Sequence, residues 1–172
     1  MYTKKILIRP AVESDTKIIA SIYVVAKEFM KKTGNPKQWE EGYPSLDYIE
    51  RDLRNNNLYV LESQGKVHGV FTMIFGIEST YQEIDGAWIN DDPYVTIHRL
   101  ASDGQVKGIF NSAINFVKQQ YTNIRIDTFK DNKIMQHLIE KNGFKYCGII
   151  NTEAHTDLPP ELWKRMAYQW VR

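Results

Sequence analysis

A change in the spacing of apolar residues near residue 109 limits the folds open to this chain more than any other feature. Tyr94–Ser102 alternates along its length, which predicts a β-strand with His98 on one face and Arg99 on the other. From Ile109 the apolar residues recur at helical spacing as far as Val117, which predicts a helix. A strand that passes directly into a helix needs a crossover to reach its next strand, and this arrangement is typical of parallel strand pairs.

The rest of the chain predicts a sheet that is mainly antiparallel. Gln64-Gly65 joins two runs of β-branched and aromatic residues and is a good signal for a two-residue hairpin. The predicted strands are Lys5–Arg9, Leu58–Ser63, Lys66–Phe75, Tyr94–Ser102, Ile124–Thr128, Tyr146–Ile150 and Arg165–Val171. Besides the helix from Ile109, three helices are predicted after N-caps at Ser14 or Asp15, at Ser45 and at Asp131. We therefore predict an α/β (α+β) fold, a mixed sheet with helices on both faces.

Length, charge and cysteine content exclude several classes of protein. The 172 residues fit one domain over 1–172, since no repeat or linker divides them. A net charge of +1 gives no electrostatic footprint for nucleic acid or an acidic membrane. Cys147 is the only cysteine, which excludes an internal disulfide and a multi-thiolate metal site. Without a signal-peptide pattern or a span of bilayer length, we expect a soluble, cytoplasmic protein with no metal, nucleic-acid partner or membrane.

The loop between the central strand and its helix has features that suit a phosphate group. Gly104 and Gly108 permit unusual backbone angles and the close approach of a ligand, and Lys107 adds a positive charge. The first turn of the helix offers unpaired N–H groups and the positive end of the helix dipole. Taken alone, the loop is more typical of an ordinary strand-to-helix turn than of a phosphate site. It is neither a Walker loop nor a dinucleotide fingerprint.

The order of motifs along nearly the whole chain resembles the GNAT superfamily of N-acetyltransferases, most closely an uncharacterised bacterial, Firmicutes-like branch. The segments that carry the resemblance are IRPAVESD, QWEEGYPS, YVLESQGKVHGVF, VTIHRLASDGQVKGIF, IRIDTFKDNKIMQHLIEKNGFKYCGII and RMAYQW. The resemblance implies a sheet of about six to seven strands, splayed at the strand that binds the cofactor. It also implies transfer of an acetyl group from acetyl-CoA, as co-substrate, to a primary amine of a small molecule, protein or peptide in a ternary complex.

The same resemblance assigns cofactor-binding residues to three places in the chain. The pantetheine arm would pair with the strand as an added strand would, and the pyrophosphate would lie on the amides of the loop and the start of the helix. Residues of the following helix would complete the site. The residues implied are Leu100, Ala101 and Ser102 for the arm, Gln105, Val106, Lys107, Gly108 and Ile109 for the pyrophosphate, and Asn132 and Met135 from the helix.

The sequence departs from the family pattern at two positions. Phe110 occupies the last small position of the cofactor loop, and the stretch from Ala101 to Gly108 is about two residues shorter than usual. Many members place a tyrosine four residues before the Gly-Phe pair, where it protonates the leaving thiolate. Here that position is Ile139, so the usual acid is missing.

Candidates for the proton chemistry follow from their predicted place beside the cofactor. His98 is the first candidate for the base, because histidine titrates near neutrality; its alternative role is a hydrogen-bonded structural histidine within the sheet. Tyr146 is a candidate replacement for the missing acid, although a strand tyrosine is more often a packing residue. We expect Asp127 to cap the next loop and Cys147 to be a buried thiol.

The family resemblance also implies that four aromatic residues wall the acceptor site: Trp39, Tyr43, Tyr81 and Trp88. Because Glu40, Glu41, Glu78 and Asp85 lie nearby in sequence, such walls would suit a cationic amine. The alternative is that the aromatic residues cover the edge of the core.

Other functions stay open at this point. They are transfer of a longer acyl group, a non-catalytic acetyl-CoA-binding or sensor domain, and a binding module unrelated to CoA. A homodimer is a further possibility, with an edge contact at the aromatic C-terminal strand through Tyr168 and Trp170.

Overall fold

The computed structural model describes residues 5–152 and 159–172. The strands are β1 Leu7–Pro10, β2 Leu58–Ser63, β3 Lys66–Phe75, β4 Asp85–Gly86, β5 Val95–Ser102, β6 Asn123–Thr128, β7 Lys145–Asn151 and β8 Lys164–Val171. The α-helices are α1 Thr16–Lys32, α2 Leu46–Arg54, α3 Ile109–Gln120 and α4 Lys133–Lys141.

All the strands belong to one sheet in the order β1-β2-β3-β5-β6-β8-β7-β4. Gln64 and Gly65 form the predicted hairpin turn, and both have positive φ, as a tight turn between twisted strands requires. The first four strands of the sheet pair antiparallel, whereas β5 and β6 pair in parallel across the crossover helix α3. The predicted mixed, mainly antiparallel sheet is therefore confirmed.

The strands β5 and β6 separate halfway along their length. Their register runs from Val95 opposite Ile124 to Ile97 opposite Ile126 and goes no further, although β5 continues to Ser102. The continuing half of β5 pairs on its other side with β3. One edge of β5 is thus open toward the gap, which is the splay implied by the family resemblance.

A bulge in the same strand overturns the predicted alternation of its side chains. The register of β5 against β3 shifts by one residue between His98 and Ala101, and Arg99 has φ +48°. The extra residue inverts the faces after the bulge. Leu100 packs with Ile97 on the α3 side, while His98 and Arg99 both line one cavity on the other side.

The helices cover the two faces of the sheet and divide the core. On one face α3 and α4 pack on β3, β5, β6 and β8 through residues such as Ile114 and Ile139, both fully buried. On the other face α1 and α2 cover the β1–β3 half, and the segment 76–94 covers the β6–β8 half with Tyr81 and Tyr94. Each fully buried Ile or Leu side chain stabilises the fold by about 1.5–3 kcal/mol. On this second face, a cavity lies between the helices α1 and α2 and the segment 76–94.

The structure corrects three local predictions. The sheet has eight strands rather than six to seven, because Asp85–Gly86 pairs with Gly148 and Ile149 at the far edge. The N-cap of α4 is Asn132 and not Asp131, since the Asn132 side chain accepts from the amide of Met135.

The proposed edge contact through Tyr168 and Trp170 is also wrong. Strand β8 lies between β6 and β7, so neither of its edges is free, and Tyr168 is fully buried. A homodimer itself stays a prediction. Over the described part of the chain, no helix is long and apolar enough to cross a membrane.

Candidate active site

Two cavities meet where β5 and β6 separate. The first, of about 390 Å³, lies between the loop before α2 and the segment 76–94, and we call it the acceptor cavity. The second, of about 300 Å³, lies between α1, the end of β5 and the first turns of α3 and α4, and we call it the cofactor cavity. Met30, Leu100, Asn132 and Met135 line both. A group at the junction can therefore be reached from both sides.

Most residues predicted to bind the cofactor lie around the cofactor cavity. Leu100, Ser102, Gly108, Ile109, Asn132 and Met135 line it directly. Phe110, which replaces the usual small residue, is buried in the core and also forms part of the wall. Ala101 does not line it, because the bulge turns its side chain into the α1 core, although its backbone stays on β5.

The loop between β5 and α3 is called the cofactor loop. Some of its main-chain amides donate to nearby side chains, and others do not. The Gly104 amide donates to Ser102 Oγ and the Gln105 amide donates to Asp103 Oδ1, both at 2.9 Å. The amides of Val106, Lys107 and Gly108 have no hydrogen-bond partner in the described segments. Gly108 has φ +85° and caps α3, so the open amides lie at the positive end of that helix. Of the predicted amides, that of Gln105 is already occupied in this structure.

Acetyl-CoA, the cofactor that the family resemblance implies, fits the hydrogen-bonding groups that this chain offers. The open edge of β5 at Leu100–Ser102 presents main-chain groups toward the gap, as an extended amide chain requires. The free amides before α3 suit a phosphate group. Phe29, Ile134 and Leu138 give the cavity an apolar wall.

Asn132 connects the two cavities through both ends of its side-chain amide. Its Oδ1 accepts from the Met135 amide at 3.1 Å, and its Nδ2 donates to Gln38 Oε1 at 2.8 Å. Gln38 Oε1 also accepts from Asn35 Nδ2 at 2.7 Å. The loop before α2 is therefore attached to the start of α4.

His98 faces the acceptor cavity and pairs with a carboxylate that sequence analysis noted only as a nearby charge. His98 Nε2 lies 3.0 Å from Glu78 Oε2. The hydrogen bond from His98 lowers the pKa of Glu78 to about 2, helped by bonds from Thr80. An ionised carboxylate only accepts hydrogen bonds, so Nε2 carries the proton in this pair. In the neutral ring, the lone pair is then on Nδ1, which has no partner in the described residues.

Asp127 also lines the acceptor cavity, at the end of β6. Its Oδ2 accepts a hydrogen bond of 2.6 Å from the hydroxyl of Tyr81. Asp127 was expected to cap the next loop, but its side chain accepts a hydrogen bond from Tyr81 instead. The carboxylate is therefore held by Tyr81, and the ring centroid of Tyr81 lies 6.2 Å from that of His98.

The four predicted aromatic residues divide into two pairs. Trp39 and Tyr43 line the acceptor cavity, with ring centroids 6.0 Å apart. Tyr81 and Trp88 do not line it. Tyr81 is 1% exposed, and burial raises its pKa well above the ordinary value. Trp88 packs on Tyr81 and donates from Nε1 to its carbonyl oxygen, so this pair forms the support behind the cavity wall.

A buried ion pair underlies the bulge. Arg99 Nη2 lies 2.6 Å from Asp52 Oδ2, and the side chains are 7% and 2% exposed. Thr72 donates to the same oxygen at 2.8 Å, and Arg99 Nη1 donates to the hydroxyl of Tyr43 at 3.3 Å. This cluster was not predicted, because simple alternation along β5 places Arg99 on the face opposite His98.

The second catalytic candidate and the family's acid position both lie outside the two cavities. Tyr146 is 51% exposed, packs on Tyr168 and lines neither cavity. Ile139 is fully buried in the core and has no proton to give. Cys147, which was expected to be buried, is half-buried and lies outside both cavities, and burial raises the pKa of its thiol. No group of metal-ligating residues occurs within the described ranges.

Comparison with solved structures gives matches over almost the full chain. A GNAT-family acetyltransferase from Streptococcus agalactiae is 28% identical, with a TM-score of 0.86, covering 99% of this chain and 98% of its own. A Staphylococcus aureus protein assigned as an acetyltransferase is 29% identical, with a TM-score of 0.67 and coverage of 96% and 98%. No family model and no curated protein matches the chain.

A more distant match has a bound ligand. A Salmonella typhimurium protein assigned as an acetyltransferase is 16% identical, with a TM-score of 0.57 and coverage of 96% and 93%, and its structure contains its cofactor acetyl-CoA. At that identity the match shows the fold alone. The matches as a group support acetyl transfer as the general reaction and do not favour a non-catalytic domain. The chain therefore has the fold of the GNAT acetyltransferases, as the order of its sequence motifs predicted.

Proposed function

We propose that this protein transfers an acetyl group from acetyl-CoA to a primary amine by direct attack in a ternary complex. The observation that carries the proposal is the junction of the two cavities at the splayed end of β5, with His98 on the acceptor side. Bound acetyl-CoA supplies an activated acetyl thioester. Leu100 and Ser102, the open amides of the loop, Asn132 and Met135 would hold it in the cofactor cavity.

His98 acts as the base because its hydrogen bond to Glu78 fixes the tautomer. With the proton held on Nε2, the lone pair of Nδ1 is available to the amine in the acceptor cavity. As the new N–C bond forms and the C–S bond breaks, the amine nitrogen would give one proton to Nδ1 and water would give one to the departing sulfur. The hydroxide that remains would take the proton back from Nδ1, which restores the neutral ring. A backbone N–H near Leu100 polarises the thioester carbonyl.

The test is release of CoA thiol with a panel of primary amines, for the wild type and His98→Gln. General-base catalysis contributes about 10²–10⁴-fold, so we expect turnover to fall by that factor while acetyl-CoA still binds. Binding is measured separately as a thermal shift, since a ligand at 100 times its Kd stabilises by about 2.7 kcal/mol. His137→Gln, at an exposed histidine of α4, is the matched control and should keep its activity.

Four outcomes would contradict the proposal or one part of it. Binding of acetyl-CoA without turnover of any amine would indicate a binding or sensor domain. No thermal shift with acetyl-CoA would indicate a module unrelated to CoA. A higher rate with longer acyl-CoA thioesters than with acetyl-CoA would reassign the acyl group. Full activity and an unchanged pH profile in His98→Gln would remove His98 from the mechanism.

A further inference from the structure

Asp127 and Arg165 both line the acceptor cavity, and each retains polar atoms without a hydrogen-bond partner among the described residues. Asp127 accepts from Tyr81 through Oδ2, and its Oδ1 has no partner among the described residues. Arg165, on β8, lines the same cavity and is close enough to Asp127 to interact with its charge. The two groups come from neighbouring strands, β6 and β8. The cavity therefore presents a negative and a positive group side by side.

The hydrogen bonds of Arg165 leave two donors available. Nη1 donates to the carbonyl oxygens of Leu162 and Lys164, at 2.7 and 3.0 Å, and Nη2 donates to that of Gln38 at 3.2 Å. A guanidinium has five N–H groups, so Nε–H and one Nη2–H remain. The plane of the side chain lies over the ring of Phe129, 5.0 Å from its centroid. The side chain is thus held in place with part of its donor set unused.

The carboxylates of Asp127 and Glu40 act on the charge of Arg165, while its hydrogen bonds to Leu162, Lys164 and Gln38 involve no carboxylate. Its three acceptors are all neutral carbonyl oxygens, and burial lowers the pKa of Arg165. A partly buried cation in this state gains most from an anionic ligand. A carboxylate, which accepts two N–H groups at once, matches the donors that remain.

The other cations around the cavity are less suited to this role. Arg99 is neutralised by Asp52 at 2.6 Å. Arg51 lies 3.6 Å from the same carboxylate, is 48% exposed and packs on the ring of Tyr48. Lys37 is exposed on the loop before α2, where water screens its charge.

We propose that the acceptor is a small zwitterionic amine of the amino acid type, with its carboxylate on Arg165 and its ammonium group on Asp127 Oδ1 before deprotonation. This inference rests on the proposed function and narrows its substrate class. It favours a free amino acid over the N-terminus of a protein, in which the first carboxyl group is part of a peptide bond. Trp39 and Tyr43 then contact the side chain of the acceptor.

The experiment compares each of the twenty standard amino acids with its α-amide, which differs only in lacking the carboxylate. We expect the wild type to acetylate at least one amino acid with a kcat/KM about tenfold or more above that of its amide. In Arg165→Gln this preference should fall to within about threefold, while activity on the amide changes little. Arg165→Lys keeps the positive charge but loses the paired N–H donors of the guanidinium, so an intermediate preference for the acid over the amide is expected. Lys37→Gln, a cation of the same cavity, is the control and should keep the preference.

Binding is measured in parallel, so that the inference does not depend on turnover. In the presence of CoA, the preferred amino acid should raise the Tm of the wild type more than its amide does, and this difference should disappear in Arg165→Gln. Equal kcat/KM and equal thermal shifts for acid and amide, or a preference unchanged in Arg165→Gln, would overturn the inference. If simple amines or amides are acetylated without that preference, the proposed function stands and only the substrate class fails. If nothing is acetylated, the proposed function fails and the binding comparison alone decides the role of Arg165.

Discussion

The buried pair of Asp52 and Arg99 allows a sharp test of how the bulge in β5 is held. The change is Asp52→Asn, which keeps the size of the side chain and removes its charge. In the native protein Asp52 Oδ2 accepts from both Arg99 and Thr72, at 2.6 and 2.8 Å. The side chains of Asp52 and Arg99 are only 2% and 7% exposed, so water does not replace the lost partner.

The expected loss of stability is large because one charge is left buried and uncompensated. Removing one partner of a buried ion pair costs about 3–5 kcal/mol. For a chain of this length each kcal/mol lowers the Tm by about 2–4 °C, so the Tm should fall by about 6–20 °C. Urea unfolding followed by circular dichroism measures the change, as a lower midpoint at an unchanged m-value.

The control lies on the same helix. Glu50 is paired with Arg54 at 4.0 Å, but these side chains are 49% and 71% exposed. Glu50→Gln should therefore cost less than about 0.5 kcal/mol. The reasoning would be refuted if Asp52→Asn cost less than about 1 kcal/mol, or no more than Glu50→Gln. Replacing both buried partners together, with Asp52→Leu and Arg99→Met, should recover much of the stability, since no lone charge is left.

Two further predictions concern the supports of the two cavities. A Cβ at Gly69 would lie 2.6 Å from Ile109 Cγ2 and 3.2 Å from Leu61 Cδ1, so Gly69→Ala should displace the start of α3. We expect a loss of about 1–3 kcal/mol in urea unfolding and a weaker thermal shift with acetyl-CoA; an unchanged shift would show that α3 adapts. The pKa of Glu78 is lowered from 4.5 to about 2, so its contribution to stability is complete above pH 4.5 and is lost as the pH falls toward 2. Glu78→Gln should thus cost about 1–3 kcal/mol at neutral pH, and this cost should shrink in urea titrations below pH 4.5; a cost independent of pH would contradict the assignment.

The sequence by itself determined the elements whose signals are local. The positive φ angles of a two-residue turn select Gln64-Gly65, so the hairpin was predictable from two residues. The change from strand to helix spacing near Ile109 predicted β5, α3 and their parallel partner β6. The order of motifs extended this to the family fold and to residues such as Leu100 and Asn132, which do line the cofactor cavity.

Only the tertiary structure decided how the acceptor cavity is built. A bulge depends on pairing with β3, so alternation along β5 could not predict that His98 and Arg99 share a face. Nor does local pattern show that Glu78 approaches His98, or that Asp127 and Arg165 meet on neighbouring strands. Spacing along one segment reports the face a residue occupies within its own element. The charges of this cavity come from segments far apart in the chain, and only the register of the sheet brings them together.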